Sequence, residues 1–341
     1  MARSTSFDSD IEQARADAAA VQEQSSRLAQ SFAALPDDVS ESAFALETAQ
    51  FTELQALETA FQDRILTLIN GFGTRTDAAY AAFDRVEDVT RAQILIAFFK
   101  RRRAGSFKVV RSRKLVIAET LKAILLEAAI VHSLLQDRKE QATALRSAIE
   151  PNLVASMETR GGIVSAMDNA RQRDKVLAAS LATLQRKIAD PYDETRLDQW
   201  KAEEAEATSQ RATVLSERKR LSSRHQALDH QAILLGNIID LLNEEISMHA
   251  LFLNKLNIEA ERCIHLYDAA FGSLEPLLAD AQSHLPHADG EEEAPMPLGI
   301  FSELLTLHGQ GIVTLQDIQT RKHRADETLL RRRAGGLDTT G

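Results

Sequence analysis

The run Lys100-Arg101-Arg102-Arg103-Ala104-Gly105-Ser106-Phe107-Lys108-Val109-Val110-Arg111-Ser112-Arg113-Lys114 carries eight cations and no acid. The chemistry open to it is electrostatic. Phe98, Phe99 and Phe107 border or interrupt the run. Cations interleaved with aromatic rings suit an anionic phospholipid surface, at about 1 kcal/mol per Lys or Arg near the lipid. The alternative is a solvated helix junction that pairs with acids elsewhere. The formal net charge is −10, so the rest of the chain sums to −18 and could supply them. Nucleic-acid phosphate suits the run less, because the field of the whole chain is negative, and no nucleic acid is expected as a partner.

Smaller patches lie further along. Arg218, Lys219 and Arg220 with Arg224 form one, and Arg171, Arg173 and Lys175 form another. The stretch from Pro151 to His230 is close to neutral, so a mixed-charge solvated coiled coil accounts for both. Arg331-Arg332-Arg333-Ala334-Gly335 repeats the residues of Arg101 to Gly105, a match short enough to arise by chance. Tyr192 and Trp200 flank a turn at Asp190-Pro191. They could seat that turn in a lipid interface, or pack across it and lock it.

Catalytic and metal chemistry find little support. No HExxH, phosphate-binding GxxxxGK[ST], GxSxG or GxGxxG with strand signals occurs. His284, His287 and Asp289 lie close together, but in a Pro- and Glu-rich stretch without preorganisation. His225 and His230 do not share a helix face. His249 falls on an apolar stripe, as a hydrogen-bonded core residue would. Cys263 stands alone, which rules out an intrachain disulfide, and its stripe position suits a buried thiol. No catalytic residue, metal or cofactor is expected.

Long helices must position these groups. Aromatics make up 5% of the chain, Gly and Pro are few, and helix-forming Ala, Leu, Glu, Gln and Arg fill most of it. Residues 192 to 275 contain no Pro and, before Gly272, one Gly. As one helix, this stretch would run roughly 120 Å. Its stripe is Leu235, Ile239, Leu242, Ile246, His249, Leu253, Leu256, Ala260, Ile264, Tyr267 and Phe271, at the three- and four-residue steps of a coiled-coil seam. A second long stretch, from Phe107 to Ile188, has the stripe Ile117, Leu121, Ile124, Ala128, Val131, Leu135, Ala142, Leu145 and Ile149. Pro151 and Gly161-Gly162 should kink or break it. Folding the chain at Asp190-Pro191 brings the two apolar stripes together and the two polar stretches together, giving an apolar body and a polar two-helix arm.

Upstream, a helix from Ser9 to Leu35 precedes Pro36. A second, capped at Ser40 or Ser42, has the stripe Phe51, Leu54, Leu57, Phe61, Ile65 and Leu68 and should break at Gly71-Phe72-Gly73. A third covers Asp77 to Arg103. The expected fold is all-α: an elongated antiparallel helical bundle with a long two-helix coiled-coil hairpin. Its expected divisions are an N-terminal segment 1–39, the bundle and hairpin 40–275, an acidic Pro-rich loop 276–299, a C-terminal helix 300–333 that Gly309 and Gly311 can split, and a disordered tail 334–341. Met1 to Asp8 lacks the apolar run of a signal peptide. The most apolar window, Leu115 to Leu135, contains Glu119, Lys122, Glu127 and His132, so no membrane-spanning segment is expected.

The stretch from Leu181-Ala182-Thr183-Leu184-Gln185-Arg186-Lys187-Ile188-Ala189-Asp190-Pro191 to Leu221 resembles the tip region of sorting-nexin and eisosome members of the BAR superfamily. That resemblance implies a BAR-like scaffold, homodimeric through its body, cytoplasmic, and peripherally bound to anionic phospholipid membranes. The implied contacts are Lys100, Arg101, Arg102, Arg103, Lys108, Arg111, Arg113 and Lys114, with Arg218, Lys219, Arg220 and Arg224 on the arm. One alternative is a scaffold that binds other coiled-coil proteins and no lipid; it expects the cations to be internally paired. Another is a subunit of an α-helical pore-forming toxin. That one ranks lower, because such a hairpin must be apolar to enter a membrane and this tip is polar.

Overall fold

The computed structural model describes residues 5–32, 35, 41–99, 105–189, 194–282 and 297–337. Among them there is no strand. The helices are α1 (Thr5–Ser31), α2 (Glu41–Phe99), α3 (Gly105–Ala189), α4 (Leu197–Phe271), α5 (Glu275–Gln282), α6 (Ser302–Gly309) and α7 (Leu315–Leu337), with short 3-10 turns at Glu194–Arg196 and Pro297–Phe301. The all-α fold of long bundled helices matches the sequence expectation.

Two expected interruptions do not occur. Gly71-Phe72-Gly73 lies inside the 59-residue α2, and the helix expected from Asp77 is its continuation. Each Gly costs about 1 kcal/mol in a helix interior. Ile69 and Phe72 are fully buried at this point, and their burial outweighs that cost. Likewise the 85-residue α3 runs through Pro151 and through Gly161-Gly162. Buried Ile149, Ser156 and Ile163 hold the helix on either side of these residues.

The chain divides into two compact units. The first comprises Met1–Gln22, Ala56–Ala142 and Glu244–Gly341, and the second Glu23–Gln55 and Thr143–Asn243. The first unit is a bundle with a continuous apolar interior. Ile11, Phe61, Ile65, Phe72, Leu121, Ile124, Leu135, Phe252, Leu256 and Ile264 are all buried there. Of the α3 and α4 stripes expected from three- and four-residue spacing, the residues within this unit are buried, except that Ile246 is half-buried and Phe271 at the end of α4 is exposed. Helix α7 is fastened to α4 by polar bonds as well as by Ile318 and Ala325. Lys255 donates to Asp326 at 2.6 Å, and Arg321 pairs with Glu261. The sequence expectation left residues 276–299 as a loop, but Leu277 and Leu298 are buried and the segment begins as α5. Residues 283–296, with His284, His287, Asp289 and the run Glu291-Glu292-Glu293, lie outside the described residues. Gly272 and Gly311 adopt positive φ of 69°, which only Gly takes without strain, and there α4 ends and α6 is separated from α7.

The second unit contains the hairpin arm. On α3 the buried residues Ile149, Ser156, Ile163 and Ala170 fall seven apart. On α4, Trp200, Ala207 and Val214 do the same, and the series resumes at Leu228, Leu235 and Leu242. A seven-residue repeat keeps one seam facing its partner helix and produces a coiled coil. The helices run antiparallel. Arg146 bonds Asn243, Ser156 bonds Gln231, and Arg173 pairs with Glu217.

Candidate functional site

Of the expected cationic contacts, Lys100, Arg101, Arg102 and Arg103 lie outside the described residues, and so does the side chain of Lys108. Arg111 and Arg113, in the second and third turns of α3, are exposed and pair with no carboxylate among the described residues. Lys114 is half-buried, its Nζ 5.3 Å from the centroid of the Phe83 ring. That cation–π contact ties the first turns of α3 to α2 and leaves the two arginines pointing outward.

The arm patch belongs to the other unit and is arranged differently. Asp174 accepts from Arg211 Nε at 2.9 Å through Oδ1 and from Arg218 at 2.8 Å through Oδ2. By the heptad count, Asp174, Arg211 and Arg218 all occupy seam positions. The hydrogen bond from Arg211 and the charges of both guanidinium groups hold the Asp174 carboxyl below its ordinary pKa. Arg218 is therefore engaged within the arm. Lys219 and Arg220 are exposed, and Arg224 is half-buried. Trp200 is buried against the hairpin, with Lys187 Nζ 6.0 Å from its ring, so it packs across the arm rather than into solvent. Tyr192 lies outside the described residues. Arg331, Arg332 and Arg333 bond Glu327, Ser247 and Asp63 respectively, which accounts for the second basic triplet internally.

The sequence reading missed a polar cluster inside the first unit. Glu58 of α2, Arg138 of α3, and Glu245 and His249 of α4 are 2%, 2%, 2% and 0% exposed. Arg138 donates to Glu245 at 2.5 Å and to Gln22 at 2.9 Å, and Gln62 donates to Glu58 at 2.8 Å. His249 was expected to be a hydrogen-bonded core residue. It is buried, but neither ring nitrogen has a hydrogen-bond partner. Its Nε2 lies 3.7 Å from Glu58 Oε1 and its Nδ1 3.9 Å from Glu245 Oε1, both too long for a hydrogen bond. Glu58 Oε2 also has no partner. Each buried group left without one costs about 1–3 kcal/mol. Burial pushes both carboxyl pKa values up, and the charge of Glu58 raises that of Glu245 further, while Arg138 opposes both shifts. Burial, with help from Arg138 and Lys139, pushes His249 down to about 3, so its imidazole is neutral. The only sequence signal was the placing of Glu245 and His249 four residues apart on an otherwise apolar stripe. Sealed from solvent, the cluster offers no room for an organic substrate. It can hold a proton or a small ion.

No family model matches this chain, and no curated protein does. Several solved structures are similar to it, among them the following three. Pre-pore AhlB of the tripartite α-pore forming toxin AHL from Aeromonas hydrophila is 13% identical, with 96% of this chain and 99% of that one covered and a TM-score of 0.36. Soluble SmhA of the tripartite toxin Smh from Serratia marcescens is 14% identical, with 92% and 94% covered and a TM-score of 0.35. A soluble triple head mutant of AhlC from Aeromonas hydrophila is 14% identical, with 78% and 98% covered and a TM-score of 0.35. At these identities and scores, neither family nor function follows for this chain.

The BAR resemblance is nevertheless corrected. The structures found similar are pore-forming toxin components, not BAR proteins. Physically, the likeness rested on a short hairpin tip and on a periodicity that any antiparallel helical pair shares.

Proposed function

We propose that this chain is a non-enzymatic helical protein that docks peripherally on anionic membrane surfaces through the cationic start of α3. The supporting observation is the contrast between its arginines. Arg160, Arg173, Arg211 and Arg218 each pair with an acid, whereas Arg111 and Arg113 are exposed without one among the described residues. A cation already neutralised adds little attraction to a lipid surface; an unpaired one adds about 1 kcal/mol. Lys100 to Arg103 and Lys108 extend the same run in sequence, and Lys219 and Arg220 are a secondary contact. No helix of the described residues is long and apolar enough to cross a membrane, which suits attachment from one side.

The test is co-sedimentation of the full chain with neutral and with phosphatidylserine-containing vesicles, at low and high salt. Binding to the anionic vesicles alone, weakened by salt and by Arg111→Glu with Arg113→Glu, supports the reading. Equal binding by the variant and the parent, or none by either, sinks it.

A second reading is a subunit of a helical membrane pore. It is favoured by the apolar run Ile94-Leu95-Ile96-Ala97-Phe98-Phe99, which ends α2 immediately before the cationic run. Six residues of helix rise about 9 Å, less than a bilayer core, so several chains or a rearrangement would be required. Release of a trapped dye from the same vesicles separates a pore from a docking protein.

A further inference from the structure

We propose that Glu58, Glu245 and His249 form a binding site for a divalent transition-metal ion, with Zn2+ the best match. The argument starts from geometry. Glu245 and His249 stand four residues apart on α4 and so share one helix face. Glu58 faces them from α2. One ligand atom from each residue lies within 4.8 Å of the other two. Two ligands bound to one Zn2+ at about 2.0–2.1 Å with tetrahedral angles sit roughly 3.3 Å apart. The 3.7 Å between Glu58 Oε1 and His249 Nε2 is close to that spacing, and small side-chain rotations close the difference.

The unpartnered atoms carry the argument further. His249 is fully buried, yet both ring nitrogens lack a hydrogen bond, as does Glu58 Oε2. Native interiors seldom leave such groups unpaired. A metal ion would take the lone pair of one ring nitrogen and a Glu58 carboxylate oxygen at once. The Phe61 ring meets the imidazole edge-on, with centroids 5.6 Å apart and planes at 88°, and so fixes the ring's orientation.

Charge and surroundings define the ion. Two carboxylates against one guanidinium leave the ionised cluster one negative charge, which suits a cation. Arg138 donates to Glu245 Oε1 and orients that carboxylate from outside the ligand set. A nitrogen ligand, few oxygens and an apolar wall disfavour Ca2+ and Mg2+, which want six or more oxygens or several waters. The fully buried position makes the site structural, joining α2 to α4 within one unit. It is independent of the membrane reading.

The test uses the full chain, stripped with a chelator and then incubated with Zn2+ or, as a spectroscopic probe, Co2+. Expected are about one Zn2+ retained per chain after desalting, a higher melting temperature with Zn2+ present, and a visible Co2+ absorption of four-coordinate intensity. Glu58→Gln and His249→Gln should lose the bound metal, while His323→Gln, which alters an exposed histidine, should keep it. If the ligand variants fail to fold, the parent chain decides alone: no retained Zn2+ and only the weak absorption of hydrated Co2+ overturn the proposal. Metal bound equally by parent and folded ligand variants overturns it too.

Discussion

Thr76 Oγ1 lies 3.1 Å from Cys263 Sγ, joining α2 to α4 in the fully buried interior of the first unit. Burial pushes the Cys263 thiol up to about 12, against the opposing effect of the Thr76 hydrogen bond. The thiolate is the reactive form, so this cysteine is protected twice, by access and by protonation. Ellman's reagent should leave the native chain unlabelled at pH 8 and label one thiol after denaturation in guanidinium. Rapid labelling of the native chain would show that the packing around Thr76 opens easily.

Arg138 should be far more important to stability than the surface arginines. It bonds Glu245, Gln22 and Gln141 from a buried position, and removing it strands a buried carboxylate. Arg138→Ala is expected to cost about 3–5 kcal/mol. Arg173→Ala, which breaks an exposed pair with Glu217, should cost at most about 1 kcal/mol. Urea unfolding of both variants measures the difference, and equal losses would contradict the assignment.

Neighbouring glycines in α2 should respond differently to alanine. A Cβ at Gly71 meets nothing within 4 Å, so Gly71→Ala should stabilise by about 1 kcal/mol through helix propensity. At Gly73 the Cβ would lie 3.2 Å from Glu259 Oε1, a group already bonded to Arg262 and Lys322. Gly73→Ala should therefore gain clearly less than Gly71→Ala, or lose stability. Thermal melts followed by circular dichroism decide it; identical gains would mean that Glu259 moves freely.

The Asp174 triad makes the arm sensitive to acid. The native pKa of Asp174 lies below its ordinary 3.8, so the unfolded chain binds the proton more readily as pH falls. Its contribution is complete above the unfolded pKa and disappears as pH drops through the folded one. Asp174→Asn should thus be destabilised against the parent at pH 7, and the difference should shrink as pH falls below the ordinary aspartate range. Urea midpoints of the two proteins at a series of pH values test this; a difference independent of pH would refute it.

The helices and their buried faces were legible where many apolar residues repeat a short period. His249, Leu253, Leu256 and Ala260 could be placed on one face of α4 from spacing alone, and all four are buried. The helix does not break at Gly71-Gly73, nor at Pro151 where a kink or break was expected; local propensity had been weighed without the burial of Phe72, Ile149 and Ser156 around them. The Glu58–Glu245–His249 cluster was illegible for another reason: its members come from helices far apart in the chain, and no short motif announces their meeting. The exposed arginines at 111 and 113 were visible as part of a charge run, but their lack of acidic partners is a property of the folded chain.

The heptad seam of the arm restricts how its length can change. Inserting one residue into α3 alone would turn everything beyond it by about 100° and carry Ile163 and Ala170 off the seam. Seven residues added to α3 and seven to α4, on the same side of the Asp174 triad, would preserve every pairing. The arm can therefore lengthen or shorten in steps of about 10.5 Å, made in both helices together.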